Sequence, residues 1–288
     1  MSVDNIEALV IRTRDGCVLR GLRYVPNEPD ESLPTALCLH GFSSDADSMR
    51  WLAHALSRSG MNVIVPDMRA HGLSDSGRRR SLGPGGLSKD VGEMCEQLTL
   101  KKIIVITQSF GGWVGLKFLE QEAPEIEIEG LYAFAPNWFA ESRPWSEIGE
   151  WLPRTARILW RLGRVNGFLS RRKPARLDYD RYKGKPDFHM PRMHEEVRSM
   201  SWFTYAPRFV QLQWLRHRPC PDWKSLAPLP VVLVAAREDR LVENSELERI
   251  ADLTGWPLSW LDCGHLGVAT EEEHANSLAR TLLAREQA

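Results

Sequence analysis

The segment Lys102–Glu120 limits what this chain can fold into more than any other stretch. It opens with KIIVIT (Lys102–Thr107), a β-branched run without polar alternation, as a strand covered on both faces requires. A short turn follows, Thr107-Gln108-Ser109-Phe110-Gly111-Gly112, and then a helical stretch over Phe110–Glu120. A strand that passes through a tight turn into a helix is half of a parallel crossover unit, so the chain is expected to build a sheet with helices packed on it.

The same succession recurs elsewhere. Ala8–Thr13 and Val18–Tyr24 read as two strands around the Asp15-Gly16 turn, a strong hairpin signal. Thr35–Leu39 is a short apolar strand. A helix is expected around Ser48–Ser57, stopped by Gly60, and then a strand over Asn62–Val65. Leu87, Val91, Met94, Cys95 and Leu98 repeat at helical spacing. Gly130–Ala135, Val231–Ala235 and Leu258–Leu261 read as further strands. The predicted class is α/β: a mostly parallel central sheet with helices on both faces.

Between Asn137 and Lys224 short strands give way to amphipathic stretches, Glu147–Leu162 and Met193–Leu215. This predicts an inserted helical cap over 137–224, with the core formed by 1–136 and 225–288. The insertion holds seven tryptophans and carries 18 Lys+Arg against 9 Asp+Glu, which leaves a net −10 on the remainder. A solvated helix surface is the simplest account of that +9; a landing zone for an anionic substrate or an acyl-carrier partner is the sharper one.

The turn at Ser109 suits a nucleophile. A serine between strand and helix lifts its Oγ above the sheet edge, and small neighbours relieve the tight backbone. Gly111 and Gly112 supply them on one side; on the other stands the β-branched Thr107. Serine needs a base, and His265 lies in a Gly-flanked loop after the predicted strand Leu258–Leu261. The base needs a carboxylate, and Asp239 follows Val231–Ala235, with Glu238 and Asp262 as neighbouring alternatives. Ser109, Asp239 and His265 are therefore the candidate catalytic residues. The backbone N–H of Phe110, at a helix start, is a candidate oxyanion donor. Trp138 and Phe139, just past the strand entering the insertion, are candidate substrate contacts.

In these features the chain resembles the α/β-hydrolase fold family, in its serine-nucleophile branch with a helical cap. The order Ser, Asp, His is that family's order. His40-Gly41-Phe42 resembles its oxyanion loop, which implies the backbone N–H of Phe42 as the second donor and its ring as pocket lining. Asp67-Met68-Arg69-Ala70-His71-Gly72-Leu73-Ser74 resembles its D-x-R-G-x-G-x-S loop, with Ala70 in place of the first Gly. Asp67, Arg69, His40 and His71 are expected to be scaffolding. The resemblance implies a cofactor-free, metal-free hydrolase acting on a carboxylic ester through an acyl-enzyme. Thioester, lactone and carbon–carbon bond hydrolysis remain open. So do a cofactor-free dioxygenase and a binding protein on the same fold. Serine at the nucleophile position argues against the dehalogenase and epoxide hydrolase branches, which use Asp there.

Composition narrows the setting. A net charge of −1 over 288 residues gives no reason to expect nucleic acid. No apolar run approaches the roughly 20 residues that span a bilayer, and the acidic start has no signal-peptide pattern. Five scattered cysteines (Cys17, Cys38, Cys95, Cys220 and Cys263) suggest no disulfide framework, so a cytoplasmic location is expected. Oligomeric state is open.

Overall fold

The computed structural model describes residues 5–77, 82–121, 126–138, 178–183, 211 and 220–286. Eight strands form one sheet: β1 (Asn5–Arg12), β2 (Val18–Val25), β3 (Thr35–Leu39), β4 (Val63–Asp67), β5 (Lys102–Gln108), β6 (Glu127–Phe134), β7 (Val231–Ala236) and β8 (Leu258–Leu261). Their order across the sheet is β1-β2-β4-β3-β5-β6-β7-β8. The first two strands pair antiparallel with each other, and β2 runs antiparallel to β4; every other neighbour is parallel.

The described helices are α1 (Arg50–Ser57), α2 (Pro84–Gln97), α3 (Gly111–Leu119), α4 (Trp223–Leu226), α5 (Asn244–Thr254), α6 (Gly267–Thr270) and α7 (Glu272–Glu286). A 3-10 turn, Ala46–Met49, leads into α1, and its side-chain cap is Asp45, which accepts from the Asp47 N–H.

Period-two alternation distributes the core. Leu37, Leu39, Ile103, Val105, Leu131 and Leu233 face one side, among the buried residues of α2, α3 and α5. Ala36, Cys38, Ile104, Ile106, Tyr132 and Val234 face the other, with α1 and α7. This explains why KIIVIT shows no polar alternation: both of its faces are buried.

Differences from the expected boundaries lie where hydrogen bonding, not hydrophobicity, sets the end. The first strand starts at Asn5 because the hairpin register pairs Asn5 with Val25, although Asn5–Ala8 are exposed. The fourth strand runs on to Asp67 because β2 pairs with it through Arg20 and Gly21. The two amphipathic stretches expected in the cap lie outside the described residues, Gln211 excepted.

Candidate functional site

All of the parallel strands deliver their carboxyl ends to one sheet edge, where ligands bind in such folds. Ser109 follows β5 there, Asp239 follows β7 and His265 follows β8.

Ser109 has φ +50, a left-handed conformation that L-residues rarely adopt and that the tight strand-to-helix turn imposes. Its N–H donates to the Phe134 carbonyl at 3.0 Å, and its own carbonyl accepts from Gly112 N–H at 3.0 Å. The turn lies so close to β3 that a β-carbon on Gly111 would stand 2.5 Å from the Leu39 carbonyl oxygen. Phe110 occupies the N-cap of α3, so its N–H lies at a helix start. Thr107 is fully buried, and its methyl is accommodated by Gly115 on α3.

His265 Nδ1 donates to Asp239 Oδ2 at 2.8 Å, with both side chains almost wholly buried. The other carboxylate oxygen accepts from Leu241 N–H at 2.7 Å and Val242 N–H at 2.9 Å. The carboxylate is thus held in place, and the proton it draws to Nδ1 makes Nε2 the basic nitrogen of a neutral ring. Of the neighbouring acids, Asp262 instead pairs with Arg237 at the exposed surface, at 2.8 Å. A contact that motif reading missed ties the two loops together: Gln108 Nε2 donates to the His265 carbonyl at 3.0 Å.

The loop after β3 passes beside the serine. A β-carbon on Gly41 would stand 3.5 Å from Ser109 Cβ. Phe42 meets Phe110 edge-on, ring centroids 6.0 Å apart, and also meets His71. His40 donates from Nδ1 to the Gly41 carbonyl at 2.8 Å and accepts at Nε2 from Met68 N–H at 3.1 Å. It therefore stitches the loop after β3 to the loop after β4. Asp67 accepts from Ala46 and Leu73 N–H groups at 2.7 and 3.0 Å. Arg69 is buried, forked onto Asp90 at 2.8 and 2.6 Å and onto Asp15 at 2.9 and 3.0 Å. These hydrogen bonds tie the loops at this edge together, which is what scaffolding by His40, Asp67 and Arg69 would require. Ala70 keeps the positive φ, +66, that explains why glycine suits that place.

Trp138 is 1% exposed. Its ring packs with Trp223 and Trp256 at centroid distances of 5.7 and 6.0 Å, and its indole nitrogen would lie 3.1 Å from a β-carbon on Gly112. From there it backs the turn that carries Ser109. Phe139 lies outside the described residues. Within 178–183, Tyr179 reaches the loop after β3 through a 2.6 Å hydrogen bond with Ser44 Oγ. No local pattern marks that pair, which stands 135 residues apart.

A sheet of this order with such loops at its carboxyl edge defines an α/β hydrolase. The family profile described as the alpha/beta hydrolase fold matches residues 34–272, and the chain belongs to that family. Among relatives, the magnesium-chelatase 30 kDa subunit of Rhodobacter capsulatus is 33% identical over 100 residues, 35% of this chain and 34% of that protein. The match thus spans about a third of that relative's length. The uncharacterized hydrolase YugF of Bacillus subtilis (strain 168) is 25% identical over 253 residues, 84% of this chain and 87% of its own. Among solved structures, a thermophilic esterase from Thermogutta terrifontis superposes with a TM-score of 0.68 at 18% identity, covering 98% of this chain and 100% of the esterase. Among the described residues no helix is long and apolar enough to cross a membrane.

Proposed function

We infer that this chain is a serine hydrolase that cleaves a carboxylic ester or a related acyl substrate through a covalent acyl-enzyme. The observation that carries the reading is the buried 2.8 Å bond from His265 Nδ1 to Asp239, at the sheet edge where the positive-φ turn presents Ser109. A carboxylate doubly held by backbone N–H groups orients a histidine for one task, proton abstraction at Nε2.

In this reading His265 takes the Ser109 proton as the oxygen attacks the substrate carbonyl. The N–H groups of Phe42 and Phe110 receive the developing oxyanion, each worth about 3–4 kcal/mol of barrier. Collapse of the tetrahedral intermediate expels the leaving group, protonated by His265. A water deprotonated by the same ring then releases the acid and returns the serine. The division into an insertion of 137–224 and a core of 1–136 and 225–288 belongs to the same proposal; the Phe42 side chain shapes the acyl side of the site, and buried Trp138 supports the Ser109 turn from behind.

The test is hydrolysis of p-nitrophenyl esters from acetate to dodecanoate by the native enzyme and by Ser109→Ala. Turnover lost in the variant supports the reading, and the preferred chain length sizes the pocket. Absence of turnover, together with failure of Ser109 to react with a fluorophosphonate, would remove it.

A further inference from the structure

Tyr179 belongs to the long connection between β6 and β7, yet its side chain is buried at the catalytic edge of the sheet. Its hydroxyl shares a 2.6 Å hydrogen bond with Ser44 Oγ. Ser44 closes the turn after β3: its N–H donates to the Gly41 carbonyl at 3.3 Å. Phe42 and Ser43 are the central residues of that turn, and Ser43 has φ +56. A left-handed serine is unfavourable and persists only where neighbouring contacts over-determine it. The Tyr179 hydroxyl is such a contact, made on Ser44, the residue next in sequence to the strained one.

The side chain of Tyr179 packs on Ala269, which is fully buried in α6, the helix that begins two residues after His265. A single side chain therefore touches both the turn carrying the Phe42 N–H and the helix next to the base. Its neighbour Asp180 pairs with Arg50 at the start of α1, which also pairs with Asp47 at 3.2 Å. The 3-10 turn Tyr179–Tyr182 is thereby anchored on the element that follows the oxyanion turn.

We propose that Tyr179 is a positioning residue: through Ser44 it holds the Gly41–Ser44 turn in its strained conformation, so that acyl transfer at Ser109 depends on the seating of this segment from the β6–β7 connection. The inference rests on the acyl-transfer reading above. It is distinct from a packing role, because packing uses the ring and positioning uses the hydroxyl. Without the hydroxyl the turn can relax away from φ +56, and the Phe42 N–H moves off the oxyanion while substrate contacts remain.

The experiment compares the native enzyme with Tyr179→Phe, Ser44→Ala and the double variant. The readouts are kcat and KM on a p-nitrophenyl ester and the rate of Ser109 phosphonylation by a fluorophosphonate, followed by mass. Both single variants keep the ring packed, and a cooperative thermal transition in each, lowered only on the scale of one buried hydrogen bond, verifies the fold. The expected result is a kcat and a phosphonylation rate each lowered about tenfold in either single variant, a fraction of what losing an oxyanion donor outright causes. KM should stay within twofold, and the double variant should be no slower than the singles. Native rates in Tyr179→Phe, or losses that multiply in the double variant, would overturn the proposal while native reactivity at Ser109 leaves the hydrolase reading standing. If native Ser109 reacts with neither ester nor fluorophosphonate, both fall together.

Discussion

The Cγ2 methyl of Thr107 occupies the space that a β-carbon at Gly115 would need, 2.8 Å away. This relationship explains how a β-branched residue is tolerated two positions before Ser109. The small residue that the turn requires has moved from the strand to the facing helix, so strand and helix still approach closely. The Leu131 side chain closes the same gap from β6, also at 2.8 Å. Alanine at 115 would ordinarily favour a helix by about 0.5–1 kcal/mol over glycine. Here overpacking, worth about 1–3 kcal/mol, outweighs that gain. Gly115→Ala should therefore lower stability in denaturant titration, and the same change in a Thr107→Ser background should cost less, the Leu131 contact remaining.

Asp239→Asn should slow ester turnover by about 10⁴-fold with the fold intact. Leu241 and Val242 donate N–H groups to one oxygen of the Asp239 side chain, so an asparagine there presents its oxygen to them and its NH₂ to His265. His265 Nδ1 must then accept, the proton moves to Nε2, and the nitrogen that should act as base is already protonated. A kcat within tenfold of native, with an unchanged melting temperature, would sink the assigned role.

Arg69 joins three elements by salt bridges to Asp15 in the β1–β2 turn and Asp90 on α2. Hydrogen bonds from Arg69 and then Thr13 hold the Asp15 carboxyl well below the usual carboxylate range. Burial pushes Asp90 the other way, against the pull of the same guanidinium. A depressed Asp15 contributes stability that is fully present above its unfolded pKa, about 3.9, and is lost as pH falls towards the folded value. Asp15→Asn should cost about 2 kcal/mol at pH 7, the scale of a hydrogen bond to a charged group. That difference in unfolding free energy should shrink as pH falls below about 4, through the window between the unfolded and the lowered folded pKa. A penalty independent of pH would show that the pair acts through shape alone.

Thr99 ends α2 with φ +52 in an exposed position. Its N–H bonds the Glu96 carbonyl and that of Leu100 bonds the Cys95 carbonyl, both at 3.0 Å. This closure wants glycine, because a β-branched residue in the left-handed region is strained by about 1–2 kcal/mol. Thr99→Gly should raise stability by about 1 kcal/mol and leave ester turnover unchanged. A lower melting temperature would mean that the threonine side chain makes a compensating contact.

Thiol labelling offers an independent check on the packing. Of the five cysteines only Cys220 is exposed. Burial raises the Cys17 thiol to about 11 and the Cys95 thiol to about 12. A maleimide at pH 7 should therefore modify one thiol quickly in native protein and the remaining four after unfolding. Fast labelling of Cys17 or Cys95 in the native state would contradict the buried placement of the β1–β2 turn or of α2.

Local patterns in the sequence determined a good part of this protein. KIIVIT, the Asp15-Gly16 hairpin and the Gly-flanked turn at Ser109 were legible because strand burial, turn chemistry and helix periodicity are written in neighbouring residues. The order Ser109, Asp239, His265 was legible because each follows its own strand, and parallel strands send such loops to one edge. Only the tertiary structure decided which groups meet across that edge. It made Gly115 the partner of Thr107, sent the Gln108 amide to the His265 carbonyl, assigned Asp15 and Asp90 to Arg69, and brought Tyr179 to Ser44. Those contacts join residues up to 157 positions apart in the chain. They depend on distances set by sheet register and helix packing, which no spacing along one chain encodes.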